Sequence, residues 1–132
     1  MRNYITRLYK PSDNAALYDM MLAEDGEWSD YYDDSGISSQ FQVALNNCIV
    51  YVVVDDDDTA CGFIRVRNDD GFFLVVYDLL VHKKYRGKNC GRILIDRVWN
   101  DYPGIDVYVM SDEDGYYEKQ GFNKVGSIFE LS

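Results

Sequence analysis

The positive charge of this sequence is concentrated in one short stretch. His82-Lys83-Lys84-Tyr85-Arg86-Gly87-Lys88-Asn89-Cys90-Gly91-Arg92 carries five Lys/Arg and no acid, and the rest of the chain sets eight bases against all 23 acids. The net charge is −10. A compact basic island in an acidic protein suits one small polyanion. The acidic remainder repels a phosphodiester backbone, which argues against nucleic acid as a partner. Glycines let main chain approach an anion closely, and Asn89 is the non-glycine residue best able to take a positive φ. The island follows an apolar run and precedes a helical pattern, so the unpaired N–H groups of a helix start would face a phosphate. Arg86, Lys88 and Arg92 can add charge-assisted bonds. The Gly-Lys-Ser/Thr of a P-loop is missing, and Gly87 with Gly91 does not make G-x-G-x-x-G. The plain alternative is a glycine-eased turn that binds nothing.

Other reactive side chains stand further apart. Asp78 is the one carboxylate in the apolar run 72–81. A carboxylate there needs a partner, either a cationic amine substrate or a backbone amide or nearby lysine. His82, the only histidine, has no metal partner in the sequence and reads as a surface residue. Asp55-Asp56-Asp57-Asp58 resembles a calcium loop by charge alone. It lacks the glycine and glutamate that such a loop needs, so a solvated hairpin turn is expected and no metal site is assigned. Three cysteines, Cys48, Cys61 and Cys90, form no C-x-x-C and read as reduced, small apolar residues.

The elements that must position these groups follow from period and punctuation. A chain of 132 residues, 47% hydrophobic and with only two prolines, is expected to form one domain without a linker. No signal peptide or membrane span is read from it, and a cytoplasmic, soluble protein is expected. Residues 3–9 suit an edge strand. Ser12 or Asp13 caps a helix through Leu22, and a second helix lies at 39–45 behind an acidic, aromatic loop. Runs at 48–54, 60–67 and 72–81, joined by short turns, make an antiparallel meander. Leu94, Ile95, Val98 and Trp99 mark one face of the next helix, which Pro103-Gly104 ends. A strand at 105–110 completes a crossover unit. Ser111 and Asp114 have capping-box spacing for a short helix, Gly121 closes it, and 122–131 returns as a strand. The fold class is α/β: a mixed, mostly antiparallel central sheet with about four helices.

The run 79–95 resembles the acetyl-CoA signature of the GNAT superfamily of N-acetyltransferases, Q/R-x-x-G-x-G/A. Arg86 and Gly91 match its first and last positions, and Asn89 stands in place of the middle glycine. Tyr116-Tyr117-Glu118-Lys119-Gln120-Gly121-Phe122 resembles the family's C-terminal F-Y-E-K-x-G-F helix. The resemblance implies a GNAT-like fold in which two parallel strands, here 75–81 and 105–110, splay to open a cleft. It implies that acetyl-CoA binds along Leu79, Leu80 and Val81 and at Arg86, Gly87, Lys88, Asn89, Cys90, Gly91 and Arg92. An N–H in the first of these runs would polarise the thioester carbonyl. Tyr117 matches the tyrosine that protonates the departing thiolate, although it could also simply pack. Asp78 falls on an acid found in polyamine-acetylating relatives and is the candidate catalytic base, with loss of the amine proton through water as the alternative. Trp28, Tyr31 and Tyr32 fall where the family builds its acceptor side, although their acidic loop could also serve only to solubilise. The function expected is acetyl transfer to a primary amine, on a small molecule or a protein, by direct attack in a ternary complex. The rival reading is a non-catalytic acyl-CoA-binding regulatory module. A homodimer is compatible with either.

Overall fold

The computed structural model describes residues 3–132. Strand β1 (Ile5–Leu8) leads through a 3-10 turn into helix α1 (Asn14–Leu22). A two-residue-per-strand hairpin, β2 (Tyr32–Asp33) and β3 (Gly36–Ile37), precedes helix α2 (Ser39–Asn46). Then come β4 (Ile49–Val54), β5 (Ala60–Asn68), β6 (Leu74–Val81), α3 (Cys90–Asp101), β7 (Val107–Val109) and α4 (Asp114–Lys119). The main sheet runs in the order β1-β4-β5-β6-β7. All neighbours are antiparallel except β6 and β7, which are parallel.

The β-branched run of β4 is buried from Val50 to Val54 and covered on both faces. One face carries α1 and α2 through Leu17, Met20, Met21, Phe41 and Leu45. The other carries α3 through Leu94, Ile95 and Val98, whose spacing put them on one helix face. Each such side chain taken fully from water contributes about 1.5–3 kcal/mol. Trp99, expected on that face, is instead 52% exposed and lies beside Phe122.

A β-bulge in β6 decides which side of the sheet its residues serve. Arg65 pairs with Asp78 but Val66 pairs with Val76, so Tyr77 is the extra residue. Before it, Leu74 and Val76 pack towards α3. After it, Leu80 packs towards α1 and α2. Strict alternation along an unbulged strand would keep Asp78, with Leu74 and Val76, on the α3 face.

Four expectations need correction. Residues 123–132 form no strand, and Val125, Ile128, Phe129 and Leu131 are exposed. β6 begins at Leu74 rather than Phe72, because the turn after Asn68 extends to a bond from Asp69 N to Phe73 O and leaves Phe72 exposed. Asp13 stands at the start of α1 but does not cap it by a side-chain bond. Its carboxylate takes two bonds from Arg7 and one from Lys10 N instead. At α4 the Ser111 hydroxyl accepts from Glu113 N, so no capping box to Asp114 forms.

Candidate active site

β7 pairs with β6 only from Leu74↔Val107 to Val76↔Val109, and a last bond runs from Met110 N to Val76 O at 2.9 Å. Beyond it the chain turns away towards α4. Among the described residues, no strand pairs with that edge of β6 from Tyr77 to Val81. Leu79, Leu80 and Val81 therefore lie along an open strand edge that ends at the basic turn.

The turn is shaped by its own backbone. His82 N bonds Cys61 O at 2.8 Å, and a 3-10 turn spans Lys83–Tyr85. Gly87 takes φ 77° and Asn89 takes φ 68°, the left-handed region that glycine and asparagine tolerate best. α3 begins at the next residue, leaving its first N–H groups without helical partners. A Cβ added to Gly91 would collide with the Tyr116 phenol. An exposed basic loop, left-handed Asn89, a helix start and a glycine where no side chain fits together suit the pyrophosphate of a CoA ester.

The side chains of that turn are unevenly free. Lys88 is exposed. The Cys90 thiol, on the first residue of α3, is buried in the core, and burial raises its pKa, so only its main chain can serve a ligand. Arg92 turns away from the turn. It reaches Asp96 at 2.9 Å and Gln120 O at 3.2 Å, over the Phe122 ring. Arg86 is paired with Glu24 at 2.8 Å.

On the opposite side of the sheet the structure joins Tyr31 and Asp78. The Asp78 carboxylate is 4% exposed, accepts from the Tyr31 hydroxyl at 3.0 Å and is bonded to Arg65 Nε. Arg65 lies over the Phe41 and Tyr77 rings and donates to Cys48 Sγ. Burial lowers the Arg65 pKa, but the bond and charge of Asp78 outweigh it and the net shift is upward. Burial, then the Asp78 charge, pushes the Tyr31 phenol up to about 12. Trp28 packs edge-on to Tyr31 at 4.9 Å, while Tyr32 meets Tyr18 of α1. The partner that Asp78 needed is thus an arginine. Arg65 was missed because it was read as one position of an alternating strand. A charge on each of two adjacent strands of a meander was the available signal.

Tyr116 and Tyr117 stand edge to face at 5.1 Å. The Tyr116 hydroxyl covers Gly91 near Val81. Tyr117 lines a cavity with Val107, Val109, Ser111 and Phe122, beside the end of β7. Burial is the main cause of a strong rise in the Tyr117 pKa, with Tyr116 and the Asp112 carboxylate adding to it. His82 is not a surface residue. Its side chain is mostly buried, with Nδ1 accepting from Lys84 N and Nε2 3.2 Å from Asp19. Asp55 is also buried, tying its turn through Asp57 N and Thr59 N.

An open strand edge leading into a left-handed turn and a helix start suits an extended ligand that ends in a phosphate. The model of the acetyltransferase (GNAT) domain matches residues 46–124, more than half of the chain. The chain belongs to that family. It is 24% identical over 92 residues to a protein of Pyropia yezoensis described as an uncharacterized N-acetyltransferase, ycf52. That match covers 63% of this chain and 53% of the relative, so the chain spans about half the relative's length. Among solved structures, a GNAT-family acetyltransferase of Staphylococcus aureus superposes with a TM-score of 0.71 at 18% identity, covering 94% of this chain and 87% of the other. A GNAT-family protein of Streptococcus pneumoniae gives 0.67 at 19% identity, covering 99% and 98%. These likenesses describe the fold. No helix among the described residues is long and apolar enough to cross a membrane.

Proposed function

We propose that this chain transfers an acetyl group from acetyl-CoA to a primary amine, within a complex that holds both substrates at once. The observation that carries the reading is the β6 edge left open after Val76 and running directly into the left-handed turn at Asn89. When bound, acetyl-CoA supplies its acetyl group as a thioester, whose carbonyl carbon passes to nitrogen while the sulfur leaves as a thiolate. The N–H groups of Leu79 and Val81, which alternate away from the β5 ladder while that of Leu80 faces it, orient and polarise the acyl carbonyl, and the main chain from Gly87 to Arg92 holds the pyrophosphate. Lys88 adds charge to the anion site. Tyr117 keeps its proton at neutral pH, because burial disfavours its phenolate; it gives that proton to the leaving sulfur and regains one from water. On the acceptor side, Trp28, Tyr31 and Tyr32 form the aromatic wall. Asp78 is a positioning residue there, fixing the Tyr31 hydroxyl while Arg65 neutralises it. The amine loses its proton to water.

Thiol release from acetyl-CoA against a panel of amines, together with CoA calorimetry, tests this. CoA should bind and raise the melting temperature, since a ligand of the native state stabilises by mass action. Tyr117→Phe should lower turnover by roughly 10²-fold while CoA affinity holds. No CoA binding at millimolar concentration removes the cofactor. Full activity in Tyr117→Phe removes the acid.

A further inference from the structure

Arg86 heads the basic turn, yet its guanidinium is already partly engaged within the protein, through Nη2 and Nε. Nη2 lies 2.8 Å from Glu24 Oε1, and Nε donates to Val81 O at 3.3 Å. The Glu24 side chain is 12% exposed against 51% for Arg86, so the carboxylate is the sheltered partner and the arginine the reachable one. A second contact lies in the same seam, from His82 Nε2 to Asp19 Oδ2 on α1. The turn is therefore fastened twice to α1 and the residues just after it. Glu24 opens the loop that carries Trp28 and Tyr31, and its own N–H is held by Met21 O at 3.1 Å.

We infer that Glu24 is an internal competitor for Arg86: a positioning residue that holds the arginine in the free protein and yields it when the cofactor's phosphate arrives. The inference rests on the acetyl-CoA reading above. Carboxylate and phosphate are both fork-shaped acceptors for a guanidinium, and donors committed to one are withheld from the other. The turn's affinity for an anion is then lower than its charge suggests. A surrendered Glu24 also loosens the start of the loop in which Trp28 packs edge-on to Tyr31 at 4.9 Å. Cofactor occupancy is in this way communicated to the acceptor wall through one ion pair.

CoA titration of four proteins decides it: the unaltered chain, Glu24→Gln, Arg86→Gln and the double variant, each checked by thermal melting. Glu24→Gln should bind CoA about two- to fivefold more tightly, the range of a partly exposed ion pair. Arg86→Gln should bind more weakly, and the double variant should match it. In a Trp99→Phe background, Trp28 emission should shift on CoA binding with Glu24 present and much less with Gln. Weaker or unchanged binding in Glu24→Gln overturns the inference, as does tightening that persists without Arg86. Failure of the unaltered chain to bind CoA overturns the cofactor reading and this inference with it.

Discussion

The turn between β6 and α3 takes its shape from residues next to one another, whereas the network around Asp78 joins side chains 13 and 47 positions apart. Each part uses a different physical resource. The turn relies on backbone dihedrals and unpaired amides, so most of its side chains can stay in water. The acceptor side relies on buried charge, which is tolerated only because Arg65 and Tyr31 both meet Asp78. A change in the turn should therefore alter ligand affinity, and a change at the network should alter stability first.

Arg65→Met tests that contrast with the largest expected effect. It strands a 4%-exposed carboxylate with only Tyr31 as partner and should cost about 3–5 kcal/mol in urea or thermal unfolding. Adding Asp78→Leu should recover most of the loss, because the unpaired charge goes with it. If the double variant is no better than the single, the cost comes from packing and not from charge.

Gly91→Ala is the matching change in the turn. The new methyl meets the Tyr116 hydroxyl and ring and should cost roughly 1–3 kcal/mol by overpacking. CoA affinity should fall as well, because Tyr116 is displaced over the helix start. A stable variant that binds CoA normally would show that the tyrosine swings aside freely.

The smallest effect concerns pH. A free phenol ionises near ~10, and Tyr31 in the folded chain only near about 12. Its folded pKa is raised, so its contribution is complete below the unfolded value and is lost as pH climbs from ~10 towards about 12. From pH 7 to 9 the difference in denaturation midpoint between Tyr31→Phe and the unaltered chain should stay constant. Above pH ~10 the midpoint should fall less steeply in Tyr31→Phe than in the unaltered chain. Identical slopes would place the Tyr31 hydroxyl in water.

What the sequence determined by itself is whatever depends on neighbours along the chain. The meander at β4 to β6 followed from β-branched runs and polar turns, the buried stripe of α3 from a 3.6-residue period, and the left-handed turn from Gly87 and Asn89. The two stretches resembling the family signature were legible for the same reason. The strand expected at 122–131 does not form, because an apolar, β-forming run has the same period whether or not an edge receives it. What only the tertiary structure decided depends on register and partner. The extra residue at Tyr77 turns Asp78 to the α1 and α2 face, and no residue type announces a bulge there. Arg65 becomes the counter-charge by cross-strand pairing, and Glu24 reaches Arg86 because α1 ends beside the turn. Such contacts are set by the packing of whole elements, whose energy is spread over many residues and written at none of them.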